Sequence, residues 1–147
     1  MKAKVLGIDH IGIAVRNVEE ALRFYTETLG LAAGPIQDNP EHGLRIARVR
    51  VGDIDLELIE AQDWERTTQR HLPYKGPGVY HFGLRVADVD TAVAELEAAA
   101  VPLIDHVPRE GETMRVSFLH PDGASGALIE LVTHKNVKRQ PGNKSPG

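Results

Sequence analysis

The pattern that most narrows the folds open to this chain is an eight-residue run that occurs twice. Ile8-Asp9-His10-Ile11-Gly12-Ile13-Ala14-Val15 returns as Val79-Tyr80-His81-Phe82-Gly83-Leu84-Arg85-Val86. Each copy alternates with period 2, which reads as a strand whose successive side chains point to opposite faces. His10, Gly12 and Ala14 share one face, and Ile11, Ile13 and Val15 the other; His81, Gly83 and Arg85 sort against Phe82, Leu84 and Val86 in the same way. The apolar face is the one a helix would cover, so each histidine points away from the packing layer, beside a residue without a side chain. Two such strands would leave a cleft with imidazoles facing into it.

The surrounding residues repeat with the strands. His10 and His81 are 71 residues apart, as are Gly12/Gly83, Val15/Val86, Val18/Val89 and Ala21/Ala92. Asn17 is placed to cap a helix from Val18 to Leu29, with Val18, Ala21, Leu22, Tyr25 and Leu29 on one stripe and Gly30 as its stop. Leu31 to Ile36 is a short strand candidate, and the turn-rich Asp38-Asn39-Pro40-Glu41-His42-Gly43 leads into strands at Leu44 to Val51 and Ile54 to Glu60, joined at Gly52-Asp53. Asp63 to Leu72 reads as a connecting helix, and Gly76-Pro77-Gly78 marks the boundary between halves. In the second half Asp88 caps a helix from Val89 to Ala100, Pro102 to His106 is a strand, and Met114 to Leu119 is another. A His120-Pro121-Asp122-Gly123 turn then leads into a last strand, Ala127 to Thr133. A period present only twice indicates paired modules rather than a solenoid.

The expected architecture is α+β: two tandem β-α-β-β-β modules, about 5–62 and 76–133, forming a curved, mostly antiparallel eight-stranded cup with helices outside. They make one domain, 1–133. The remainder, 134–147, is rich in Pro, Gly and Lys without periodicity and is expected to be a disordered basic tail. Four of the 17 basic residues fall in that tail, leaving 13 in the body against 21 acidic ones. Such a body is unsuited to nucleic acid, whose phosphates require clustered Lys and Arg. No apolar run approaches the length of a membrane span. The Met1-Lys2-Ala3-Lys4 start lacks a secretory apolar region, so the expected location is cytoplasmic. The chain has no cysteine, so any metal must be held by His, Asp or Glu.

A glutamate flanked by aliphatic residues closes each half: Glu57 in Leu56-Glu57-Leu58-Ile59 and Glu130 in Leu128-Ile129-Glu130-Leu131-Val132. They stand 47 and 49 residues after their histidines. A carboxylate in such a strand must reach water, find a partner or coordinate a cation. His10, Glu57, His81 and Glu130 together are a two-nitrogen, two-oxygen donor set suited to divalent Co, Ni, Zn, Mn or Fe. His42, His71, His106, His120 and His134 fall in turns, loops or strand ends and are expected to be solvated.

The duplicated module with these four residues resembles the vicinal oxygen chelate (glyoxalase/bleomycin resistance/dioxygenase) superfamily, most closely its methylmalonyl-CoA epimerase branch. The matching segments are Ile8 to Val15, Phe24-Tyr25 through Leu29-Gly30-Leu31, Leu56-Glu57-Leu58-Ile59-Glu60, Pro102-Leu103-Ile104-Asp105, Val116-Ser117-Phe118-Leu119-His120-Pro121, and Gly126 to Val132. The resemblance implies a metal in a cup formed by both modules, with a malonyl-type thioester bound through two oxygens and the enolate stabilised as the α-proton leaves. It implies a homodimer, an acyl-CoA substrate, and Glu130 as both ligand and catalytic base. Epimerases also use a second glutamate on the third strand, and aligning Glu41-His42-Gly43-Leu44 with the family's Glu-Gln-Gly-Val puts Ile46 in its place. Ile46 cannot move a proton. Arg48, on the same face as Ile46, is a candidate for holding a substrate carboxylate, whereas Arg45 lies on the other face. Glu41 can replace the missing base only if its loop folds over the cup. Three other readings stay open: a glyoxalase I-type lyase, a ring-opening dioxygenase, which uses two histidines and one glutamate around iron, and a metal-independent resistance-type binding protein.

Overall fold

In a computed structural model of the 147-residue chain, residues 1–64 and 76–135 are described. The strands are β1 (Val5–Ala14), β2 (Gln37–Asn39), β3 (Leu44–Val51), β4 (Ile54–Ala61), β5 (Gly78–Val86), β6 (Arg109–Glu110), β7 (Met114–Leu119) and β8 (Ile129–His134), with helices α1 (Val18–Arg23) and α2 (Val89–Ala98). They form one sheet in the order β2-β3-β4-β1-β5-β8-β7-β6, so the second four strands mirror the first four about the β1–β5 pair. The β1–β4 and β5–β8 pairings are parallel and the rest antiparallel. The sheet curls into a half-barrel with both helices outside it. No helix of the described residues is long and apolar enough to cross a membrane.

Each helix covers its own half of the sheet. Val18 on α1 is buried with Ala47, Val49 and Leu58, and Ile13, Leu22 and Tyr25 pack against them. Val89, Ala92 and Val93 on α2 are buried with Val86, Leu119 and Leu131. The period-2 expectation therefore holds, with Ile13, Leu56 and Leu58 under a helix and His10, Gly12 and Glu57 on the concave face. Asn17 caps α1 as expected, its Oδ1 accepting from Glu20 N at 2.8 Å.

Several details depart from the sequence expectations. The first helix continues beyond Arg23 as a wider π turn, Phe24–Thr28, in which the Leu29 N–H donates to the Phe24 carbonyl. The added residue per turn rotates the end of the helix, so Leu29 is exposed and Leu31 packs on the core instead. Gly30, at φ 70°, then reverses the chain. Leu31 to Ile36 and Pro102 to His106 are not strands; each makes a single bridge, Ala33 to Val49 and Leu103 to Leu119. The second strand of each module lies later in the chain, as short β2 and β6 at the two sheet edges, where register is weakly specified. Helix α2 stops at Ala98 rather than Ala100, which has φ 57°. His120-Pro121-Asp122-Gly123 is a turn as expected, with a 3₁₀ segment Pro121–Gly123. His134, expected to open the tail, belongs to β8, and residues 136–147 of that expected tail lie outside the described residues. Most of the helix expected over Asp63 to Leu72, together with His71, lies outside the described residues.

Candidate active site

The mirror symmetry brings the two histidines face to face. On adjacent antiparallel strands His10 stands opposite Gly83, and Gly12 opposite His81. Each imidazole lies over the facing glycine: a Cβ at Gly12 would sit 2.2 Å from His81 Cε1, and one at Gly83 would sit 2.3 Å from His10 Cε1. Any larger residue at either position would occupy the ring's space. With both glycines present, the two Nε2 atoms approach to 2.9 Å and the rings meet edge to face.

The outer strands bring the glutamates into the same rows. Glu57 is opposite Gly12 across β1–β4, and Glu130 is opposite Gly83 across β5–β8. Glu130 Oε1 lies 3.1 Å from His10 Nε2, and His10, His81 and Glu130 offer ligand atoms that all lie within 4.8 Å of one another. Glu57 is on the same face but outside that cluster. Its carboxylate is 3.4 Å from Arg48 Nη2, on the neighbouring β3 residue, while Arg48 Nη1 donates to Gln37 Oε1 at 3.0 Å. Three of the four expected donors are therefore brought together, and the fourth is drawn aside by an arginine.

Asp9 is a participant that the alternation rule hides. Strict alternation would turn its side chain away from His10, but the β1–β5 register shifts between Ile8 and His10. This one-residue irregularity lets neighbouring side chains meet. Asp9 Oδ2 lies 2.8 Å from His10 Nδ1, and Asp9 Oδ1 lies 2.5 Å from Nε2 of His134 at the end of β8. His134 is thus half-exposed but engaged, contrary to the expectation of a solvated ring. His106 and His120 also have partners, Glu97 Oε1 for the first and the Asp122 N–H for the second, while His42 is exposed. The sequence signal that could have found Asp9 is the acid immediately preceding a buried histidine.

The electrostatics follow from burial and charge. His10, His81 and Glu57 are 3%, 4% and 9% exposed, too little for water to solvate them freely. Burial alone would lower the His10 pKa; hydrogen bonds with Asp9 and Glu130, and the charge of Glu57, outweigh it and raise the value to about 10. Burial would raise the Asp9 pKa, but its bonds to His10 and His134 hold the carboxyl well below the usual range. Burial pushes Glu57 upward, its neighbours Glu130 and Asp9 adding to this while His10 and Arg48 oppose it. Three carboxylates around two imidazoles make a pocket that favours positive charge. Two donors about 3 Å apart are also spaced as adjacent positions around one ion with bonds of about 2.1 Å. The residues therefore fit a divalent metal, with His10, His81 and Glu130 each offering a ligand atom within 4.8 Å of the other two.

Residues 9–118 match the model of the Glyoxalase/Bleomycin resistance protein/Dioxygenase superfamily. The chain belongs to this superfamily. Within it, the chain is 33% identical over 128 residues to an ethylmalonyl-CoA/methylmalonyl-CoA epimerase of Cereibacter sphaeroides, covering 84% of this chain and 95% of that one. It is also 33% identical over 129 residues to YqjC of Bacillus subtilis, an uncharacterised protein, covering 87% and 92% of the two chains. A solved methylmalonyl-CoA epimerase in complex with methylmalonyl-CoA and NH4+ superposes with a TM-score of 0.76 at 32% identity, covering 88% of this chain and 95% of that one. The family resemblance and the α+β half-barrel expected from the residues are both confirmed.

Proposed function

We propose that this superfamily member is a metal-dependent, methylmalonyl-CoA epimerase-like enzyme that removes the α-proton of an acyl-CoA thioester. The observation that carries this reading is the convergence of two imidazole Nε2 atoms and the Glu130 carboxylate at the floor of the half-barrel, in a chain whose relatives are named as epimerases. His10, His81 and Glu130 would hold a divalent ion, with Glu57 completing the set once it leaves Arg48. A bound ion supplies Lewis acidity toward the oxygens of a malonyl-type thioester, lowering the cost of the negative charge that develops as the proton leaves. Glu130 is the carboxylate assigned to accept that proton. Arg48, about two-fifths exposed on the concave wall, provides positive charge for the carboxylate of the substrate. We assign the chain to a homodimer acting in the cytoplasm.

Ile46 shapes the reaction. It lies opposite Ile59 on β4 and Gln37 on β2, so neither it nor its cross-strand neighbours can take or return a proton where a second base would stand. Glu41 is in the exposed turn after β2. In this reading protons leave and return mainly on the Glu130 side, and the α-position exchanges with solvent faster than it inverts. The same two-histidine, one-carboxylate set is used by iron dioxygenases, but the acid on the fourth position and the names of the relatives favour proton abstraction.

The test is to incubate the cobalt-loaded protein with methylmalonyl-CoA in deuterated water, following α-deuteration by mass and inversion by chiral analysis. Deuteration should outpace inversion, and Ile46→Glu should raise the inversion rate by roughly 10- to 100-fold, within the range for a placed general base. Absence of deuteration, with turnover of a glutathione hemithioacetal instead, would transfer the chain to the lyase reading.

A further inference from the structure

The side chains around the triad include one pair, Asp9 and His134, that the proposed reaction does not use. Glu130 and His134 share the concave face of β8, four residues apart. Glu130 approaches His10 Nε2, while His134 Nε2 reaches Asp9, whose other oxygen takes His10 Nδ1. One imidazole is therefore gripped at both nitrogens by groups tied to the same strand. The Asp9 side chain is 11% exposed and that of His134 is 47% exposed, so the chain of contacts runs from the protein surface to the buried ring.

We infer that His134, acting through Asp9, is a positioning residue that fixes the ring of His10 with its Nδ1–H bound to Asp9 and its Nε2 turned toward His81 and Glu130, where it would serve as a metal ligand. The physical reason is that a carboxylate can hold an imidazole in one tautomer and one orientation only if the carboxylate cannot itself rotate. Asp9 sits at a register irregularity, where the sheet ladder does not set its side-chain direction. His134 removes that freedom by occupying the second oxygen. It does so from the last residue of β8, so the position of the C-terminal strand end is transmitted to a ligand on β1, with β5 lying between them.

This inference rests on the proposed metal site, and the experiment separates the two. Cobalt(II) alone is titrated against a chromophoric chelator into the full chain, its His134→Ala, His134→Gln and Asp9→Asn variants, with the cobalt d–d spectrum recorded for each. The Nδ1–H resonance of His10 is followed by NMR in the metal-free proteins. Loss of an outer partner of a metal-bound histidine costs about 10- to 100-fold in affinity, so His134→Ala should weaken cobalt binding roughly tenfold and Asp9→Asn roughly a hundredfold. His134→Gln keeps an N–H donor and should stay within about threefold of wild type. The d–d bands should shift in His134→Ala, and its His10 Nδ1–H signal should broaden by exchange, while the metal-free thermal midpoint moves by less than about 2 °C. Wild-type affinity and an unchanged spectrum in His134→Ala would overturn the inference. A wild type that takes up no cobalt overturns the metal reading instead; the NMR signal then decides, an unbroadened resonance in His134→Ala counting against the positioning role.

Discussion

The two halves of the sheet are built alike and treat their glutamates differently. Glu57 and Glu130 hold equivalent places, each in the parallel partner strand of a histidine strand and each opposite a glycine. The residue on the next strand out decides where each carboxylate turns. Opposite Glu57 on β3 is Arg48, which draws the carboxylate to 3.4 Å. Opposite Glu130 on β7 is Phe118, whose ring lies against His81 and offers no charge, so Glu130 turns to the histidines. One cross-strand position thus separates a converged carboxylate from a withdrawn one. Duplication supplies matching sites, and the flanking strands assign them different roles.

The glutamates themselves should show the largest contrast between the halves. Glu130→Gln should lower α-proton exchange by at least about 100-fold, as expected for loss of a general base, whereas Glu57→Gln should leave exchange measurable; equal losses would erase the distinction. Next in size, Gly83→Ala and Gly12→Ala place a methyl group in the space of an imidazole. Each should abolish stoichiometric metal uptake and cost about 1–3 kcal/mol in denaturant unfolding, typical of overpacking. If either variant binds metal normally, the placement of each ring over the facing glycine is wrong.

Smaller still, Arg48→Met makes the first half resemble the second by freeing Glu57. Cobalt affinity should rise several-fold as a fourth ligand becomes available, and the apparent KM for a carboxylated acyl-CoA should rise with it; a fall in metal affinity would show that Arg48 is not the restraint. The helix starts provide the mildest contrast. Asn17 caps α1 through its side chain, whereas Asp88 accepts from the Thr91 hydroxyl and the Val89 N–H donates to Thr133 Oγ1 instead. Asn17→Ala should cost about 1 kcal/mol of stability, and Asp88→Ala less, as read from unfolding midpoints.

Much of this protein is written in its residue order. The 71-residue repeat, the histidine–glycine spacing and the aliphatic context of two glutamates predicted the paired modules, the helix-covered face and the donor rows, because strand alternation and helix capping are local rules. The central strands β1, β3, β4, β5 and β7 were legible because both of their faces are constrained. The edge strands β2 and β6 were not, since few contacts set where a short edge pairs. The π turn after Arg23 was equally hidden, its local signal being that of an ordinary helix.

The arrangement of the site, by contrast, came from the folded sheet. That Arg48 would capture Glu57 depends on which β3 residue lies opposite it, a register set by the whole sheet. That Asp9 would turn toward His10, and that His134 would reach it from β8, depends on one residue of irregular pairing between β1 and β5. Side-chain direction can be read from sequence while a strand stays regular. At a bulge, or across three strands, it is fixed by contacts between residues more than a hundred positions apart, such as Asp9 and His134.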